Sequence, residues 1–91
     1  MKELPVNVTS YKKTPDFDES SIPKDLLKAH QTKEGVWAKI SVSDGQLEYK
    51  INEPESEMVI LDKNKYGVVE PMILHDIKVV GEVRFDVEFY K

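Results

Sequence analysis

From Val36 onward the chain alternates. Val36, Ala38, Ile40 and Val42 are separated by Trp37, Lys39, Ser41 and Ser43, a period of two that puts four apolar side chains on one face of a strand. Asp44-Gly45 interrupts this run, and the dipeptide suits the positive φ angles of a type I′ turn. Leu47, Tyr49 and Ile51 alternate beyond it, so residues 36–52 read as a β-hairpin. A polar, proline-containing turn follows, from Asn52 to Glu57. Met58 to Asp62 (MVILD) is a short continuous apolar run, the pattern of a strand covered on both faces. Lys63-Asn64-Lys65 makes the next turn. Tyr66, Val68 and Glu70 lead into Pro71, which has no N–H for a ladder and so ends the strand or bends it. Ile73, His75, Ile77 and Val79 share one face. Gly81-Glu82 turns the chain again, and Val83, Phe85, Val87 and Phe89 alternate with Arg84, Asp86, Glu88 and Tyr90 in a half-buried last strand.

The first third is less regular. Pro5, Val6, Val8 and Tyr11 suggest an edge strand, where proline is tolerated, and Thr14-Pro15-Asp16 and Ser20 to Pro23 are loop. Lys24 to His30 fits a turn of helix or a strand, and the surrounding hairpin pattern favours the strand. Short strands separated by turns at roughly 8 to 12 residues predict an all-β fold, a small β-sandwich or barrel. A chain of 91 residues is expected to form one domain, 1–91, with one core and one small pocket.

Composition narrows the function classes. There is no cysteine, so disulfides and thiolate metal sites are excluded, and a reducing cytoplasm is the natural compartment. The opening MKELPVNVTSYKK lacks the apolar run of a signal peptide, and no segment has the ~20 apolar residues of a membrane span. A net charge of -4 without a basic stripe argues against a nucleic-acid partner. No glycine-rich phosphate loop, Gly-x-Ser-x-Gly elbow or nucleophile with local His and Asp partners is present, so no catalytic residues are assigned and an enzyme is not expected.

Several residues together carry a family resemblance. His30-x-Thr-Lys-x-Gly-x-Trp37, a segment with Gly45 and Leu47, Glu70-Pro71-x-x-x-His75 and a closing Phe89-Tyr90 resemble the TehB/YeaR-like domain, from about Thr14 to the C-terminus. That family is associated by name with tellurite resistance. It occurs both alone and ahead of an S-adenosylmethionine-dependent methyltransferase domain, so the resemblance implies a separate methyltransferase as a partner. It also implies a cupin-like double-stranded β-helix. Gly67-x-x-x-Pro71-x-x-x-His75 is similar to the second cupin motif, in which a glycine turn and a proline bend aim a histidine into the barrel. The first motif's pair of histidines is missing between His30 and Gly45, and with it the standard three-histidine, one-glutamate site.

The residues left to carry chemistry are few. His75 sits on an apolar strand face, where an imidazole either points into a pocket or bonds a backbone carbonyl. With only two histidines in the chain, the fullest metal site is His30, His75 and a carboxylate, for which Glu70 is the best placed. Such a set suits Zn, Fe or Mn. Glu88 alternates with Val87 and Phe89 and should face the other way. Trp37 and Tyr49 are candidates for the ligand pocket with His75, although packing is the favoured reading of each. The expected function is a small cupin-like binding or stress-response protein that takes a small ligand or oxyanion, with a metal at His30 and His75 as one route. The alternative is a metal-free sensor or interaction domain that dimerises through a sheet edge. A cupin-type oxygenase or isomerase ranks last.

Overall fold

The computed structural model describes residues 1–24, 31–52 and 55–91. Among them are six strands: β1 (Ser10–Lys13), β2 (Phe17–Asp18), β3 (Trp37–Ile51), β4 (Glu57–Leu61), β5 (Gly67–Val69) and β6 (His75–Tyr90). All belong to one antiparallel sheet in the order β1-β6-β3-β4, with β2 beside β6 and β5 beside β3. The all-β expectation holds. The strand expected from Lys24 to His30 falls almost entirely on residues 25–30, which lie outside the described residues.

The spine of the sheet differs from the expected chain of hairpins. β3 and β6 pair from Trp37↔Tyr90 to Ile51↔His75, and both continue through the dipeptides read as turns. Asp44-Gly45 and Gly81-Glu82 are instead a bulged corner. Ser43 is left over between Val42↔Phe85 and Asp44↔Arg84, and Gly81 and Glu82 are left over between Gln46↔Val80 and Gly45↔Val83. Gly45 and Gly81 have φ of 76° and 72°, the left-handed conformation that a type I′ turn and a glycine bulge both demand. What chooses between them is the distant partner strand. At Gly45 the two chains press together, since a Cβ built there runs into the carbonyl oxygen of Glu82 and lies 3.0 Å from the Val83 Cα. The Val83 N–H at this corner is taken by Glu19 Oε1 at 2.9 Å.

The bend divides the ribbon into two halves that face each other. Residues 37–42 of β3 and 84–90 of β6 form one half, flanked by β1, β2 and β5; residues 46–51 and 75–80 form the other, flanked by β4. Ala38, Ile40, Val42, Phe85 and Val87 meet Leu47, Tyr49 and Ile77 in one core, as the alternation predicts. Phe17 of β2 packs on Phe85 with ring centroids 5.7 Å apart. Removing the fully buried Phe85 side chain would cost roughly 3–5 kcal/mol. The Tyr49 hydroxyl, also buried, donates to the Val68 carbonyl at 2.9 Å and ties β3 to β5. β4 corrects a second expectation. Met58 and Ile60 are 59% and 42% exposed, so only the face carrying Val59 and Leu61 is covered. The N-terminal edge strand begins at Ser10 rather than near Pro5, and Thr9 and Lys91 exchange backbone hydrogen bonds just beyond it.

Candidate functional site

The turn before β6 sets the direction of His75. Pro71 and Met72 occupy the centre of a turn closed by the Ile73 N–H on the Glu70 carbonyl at 3.5 Å. Met72 has a φ of 63°, so the turn is of the type that normally asks for glycine at this position. A methionine there stores roughly 1–2 kcal/mol of backbone strain. Thr32 holds the strained turn in place. Its carbonyl accepts the Met72 N–H at 3.1 Å, and its hydroxyl donates to the Val36 carbonyl at 2.8 Å and reaches the Glu70 carbonyl at 3.4 Å. Thr32 and Pro71 also form a parallel bridge, the one place where the segment ahead of β3 touches the turn ahead of β6 among the described bridges.

His75 then enters β6 pointing inward, only 2% exposed. Its Nδ1 lies 3.3 Å from the Ile73 carbonyl oxygen. A carbonyl only accepts, so this contact places the proton on Nδ1 and, in a neutral imidazole, the lone pair on Nε2. The ring meets Tyr49 edge-on, with centroids 5.5 Å apart and planes at 75°. His75 and Thr32 supply the polar side chains of an interior cavity of about 20 Å³, otherwise walled by apolar residues such as Ala38, Ile40, Ile77 and Phe89 from both halves of the sheet. A single water needs at least about 10–15 Å³, whereas small-molecule sites run to several hundred. By volume the cavity is about the size of one water, and its exposed lining is almost wholly apolar.

The other expected site residues are scattered around this centre. Tyr49 touches His75, but its hydroxyl is committed to Val68, and burial, with the charges of Glu70 and Glu57, pushes that hydroxyl's pKa well above its ordinary value. Trp37 pairs with Tyr90 and is half-buried away from the cavity. Glu70 contributes its carbonyl to the turn and helps line a separate hollow with Met1, Lys2 and Glu57. His30 lies outside the described residues. Glu88 alternates with the inward-facing Val87 as expected, and Ser10 Oγ donates to it at 2.6 Å, which lowers its carboxyl pKa. Among the described residues no three His, Cys, Asp or Glu side chains come together as a metal group. Thr32 is one of the residues that carry the family resemblance in the sequence, but no role at the site is assigned to it there. Its role is visible only once it is paired with Pro71.

The TehB-like domain model matches residues 12–87 of the chain. A search of curated protein sequences finds no match. Among the solved structures that share the fold are two crystal structures. One is a protein from Escherichia coli strain K12, with a TM-score of 0.88 and 21% identity, covering 100% of this chain and 97% of that one. The other is TehB from Haemophilus influenzae, with a TM-score of 0.82 and 23% identity; the match covers 91% of this chain but 31% of TehB.

Proposed function

The chain belongs to the TehB-like domain family, and on that footing we propose that it is a cupin-like binding module that captures a small ligand or oxyanion at His75. The observation that supports this most is a buried imidazole beside a small apolar cavity, next to a turn that keeps a non-glycine residue at positive φ. Strain maintained at a site of this kind is a mark of function more than of stability. The absence of cysteine suits a reducing compartment, and no helix among the described residues is long and apolar enough to cross a membrane.

A metal is the stronger form of this proposal. The Ile73 carbonyl beside Nδ1 is the kind of partner that metal-bound histidines commonly have on their other nitrogen, which supports this form of the reading. His75 is one ligand of suitable chemistry; His30 and a carboxylate such as Glu70 would have to complete a site for Zn, Fe or Mn. Elemental analysis of tag-free protein, repeated on His75→Ala and His75→Gln, tests this directly. Stoichiometric metal in the parent and none in the variants is the expected result. In parallel, tellurite should raise the melting temperature of the parent and leave both variants unmoved. A metal-free parent that tellurite does not stabilise would refute the reading.

A second reading is favoured by β4. Among the described residues this strand pairs with β3 alone, and it exposes Met58 and Ile60, so its outer edge offers a second copy a ladder to pair with. Concentration-dependent sedimentation of the parent against Ile60→Lys distinguishes a dimer of this kind from a monomer.

A further inference from the structure

Another concavity, of about 520 Å³, opens beside β1, and Phe89 walls both it and the cavity at His75. Lys12 pairs with Phe89, and Phe89 with Ala38, so Lys12 extends to the sheet edge the row whose inner members line the interior cavity. Lys33 comes in from the segment before β3, and Lys91 from the end of β6 with its Nζ 4.5 Å from the centre of the Tyr11 ring. Three lysines therefore line one hollow in a chain of net charge -4. No Asp or Glu lines it among the described residues, and none of the three lysines has an ion-pair partner there; Lys13, by contrast, reaches Asp86 at 4.0 Å. Val36 and Phe89 give the hollow an apolar floor, and Gln31 adds an amide at its rim.

Charges of one sign around a concavity focus the field and draw a counter-charge into it. Lysines, as compact charges on flexible stems, accept a carboxylate or a phosphate without the fixed geometry of arginine. The volume falls within the range of small-molecule sites, roughly 300–1,000 Å³. An inorganic ion would leave the aromatic and aliphatic floor unused. We propose that this hollow is a binding site for a small organic anion, its carboxylate or phosphate head held among Lys12, Lys33 and Lys91 and its apolar body laid against Phe89, Val36 and Tyr11. This site is separate from the one at His75 and stands whether or not that reading survives.

Phenyl phosphate is a suitable probe, titrated into ¹⁵N-labelled protein at low ionic strength, with inorganic phosphate and benzyl alcohol as its two halves. Saturable shifts are expected at the amides of Lys12, Lys33, Val36 and Phe89. Phenyl phosphate should bind at least about tenfold more tightly than either half. An exposed charge pair contributes up to about fivefold, so Lys12→Met with Lys33→Met should weaken phenyl phosphate severalfold, up to about 25-fold. His75→Ala should bind it like the parent. Equal binding of benzyl alcohol and phenyl phosphate, equal binding by the double variant, loss of binding in His75→Ala, or shifts that map elsewhere would each overturn the proposal.

Discussion

Gly45→Ala is the sharpest probe of the bent spine. Two costs arise at this position. An L-residue at a φ of 76° loses roughly 1–2 kcal/mol relative to glycine. The new Cβ also meets backbone, the Glu82 carbonyl and the Val83 Cα, which cannot rotate aside as a side chain could. Opening the corner to admit it adds about 1–3 kcal/mol, the usual range for overpacking. Reduced freedom of the unfolded chain returns about 0.4–1 kcal/mol, leaving a net loss of about 2–4 kcal/mol. A domain of this size has roughly 5–14 kcal/mol in all, so the melting temperature should fall by about 10–25 °C. Gly81→Ala is the control. Its φ of 72° carries the same conformational penalty, but nothing lies within 4 Å of the added Cβ, so the loss should stay near 1 kcal/mol. Urea and thermal unfolding followed by circular dichroism and Trp37 fluorescence would measure both. Equal losses in the two variants would show that the approach to Glu82 is not what makes Gly45 necessary.

Three other outcomes follow from single contacts. Tyr49 holds its proton in the folded protein at pH values where the unfolded chain has released it, so stability is intact below about pH 10 and falls above it, by up to about 1.4 kcal/mol per pH unit. Tyr49→Phe should cost about 1–2 kcal/mol at neutral pH through the lost bond to Val68, a deficit that narrows in urea titrations as pH passes 10. Met72→Gly should raise stability by about 0.5–1 kcal/mol by releasing the positive-φ strain, whereas Met72→Ala, which keeps it, should give no gain in the same assay. Glu19→Ala should cost about 1 kcal/mol by stripping the acceptor from the Val83 N–H, and Glu19→Gln, which retains an oxygen there, should recover most of it.

The face assignments were legible because alternation is a local property. Ala38, Ile40, Val42, Leu47, Tyr49, Val83, Phe85 and Val87 all lie in the core where the period of two puts them. The proline bend ahead of His75 was legible for a similar reason, since proline restricts its own φ wherever it sits. Asp44-Gly45 and Gly81-Glu82 were not. A type I′ turn and a glycine bulge need the same left-handed residue, and only the pairing of β3 with a strand far along the chain separates them. Met58 and Ile60 misled in another way: an apolar run signals burial on both faces only when a second layer exists to cover it, and β4 lies at an edge. The site was half visible. His75 could be picked out as an inward histidine, but Thr32, which joins it at the cavity, works through a bridge to Pro71 that no spacing reveals.

The β3–β6 ribbon also bears on how the chain reaches this state. Its closest-in-sequence pair is Ile51↔His75, and every further pair toward Trp37↔Tyr90 adds to a ladder already begun, so folding can proceed as a zipper from that end. Such long-range pairing belongs to the slow regime, milliseconds to seconds. The zipper must cross the corner midway, where Ser43, Gly81 and Glu82 add chain without adding a rung. The kink that folds one half of the sheet over the other is thus where such a zipper should slow, and Gly45→Ala, which crowds the corner, is expected to lower the refolding rate in stopped-flow fluorescence.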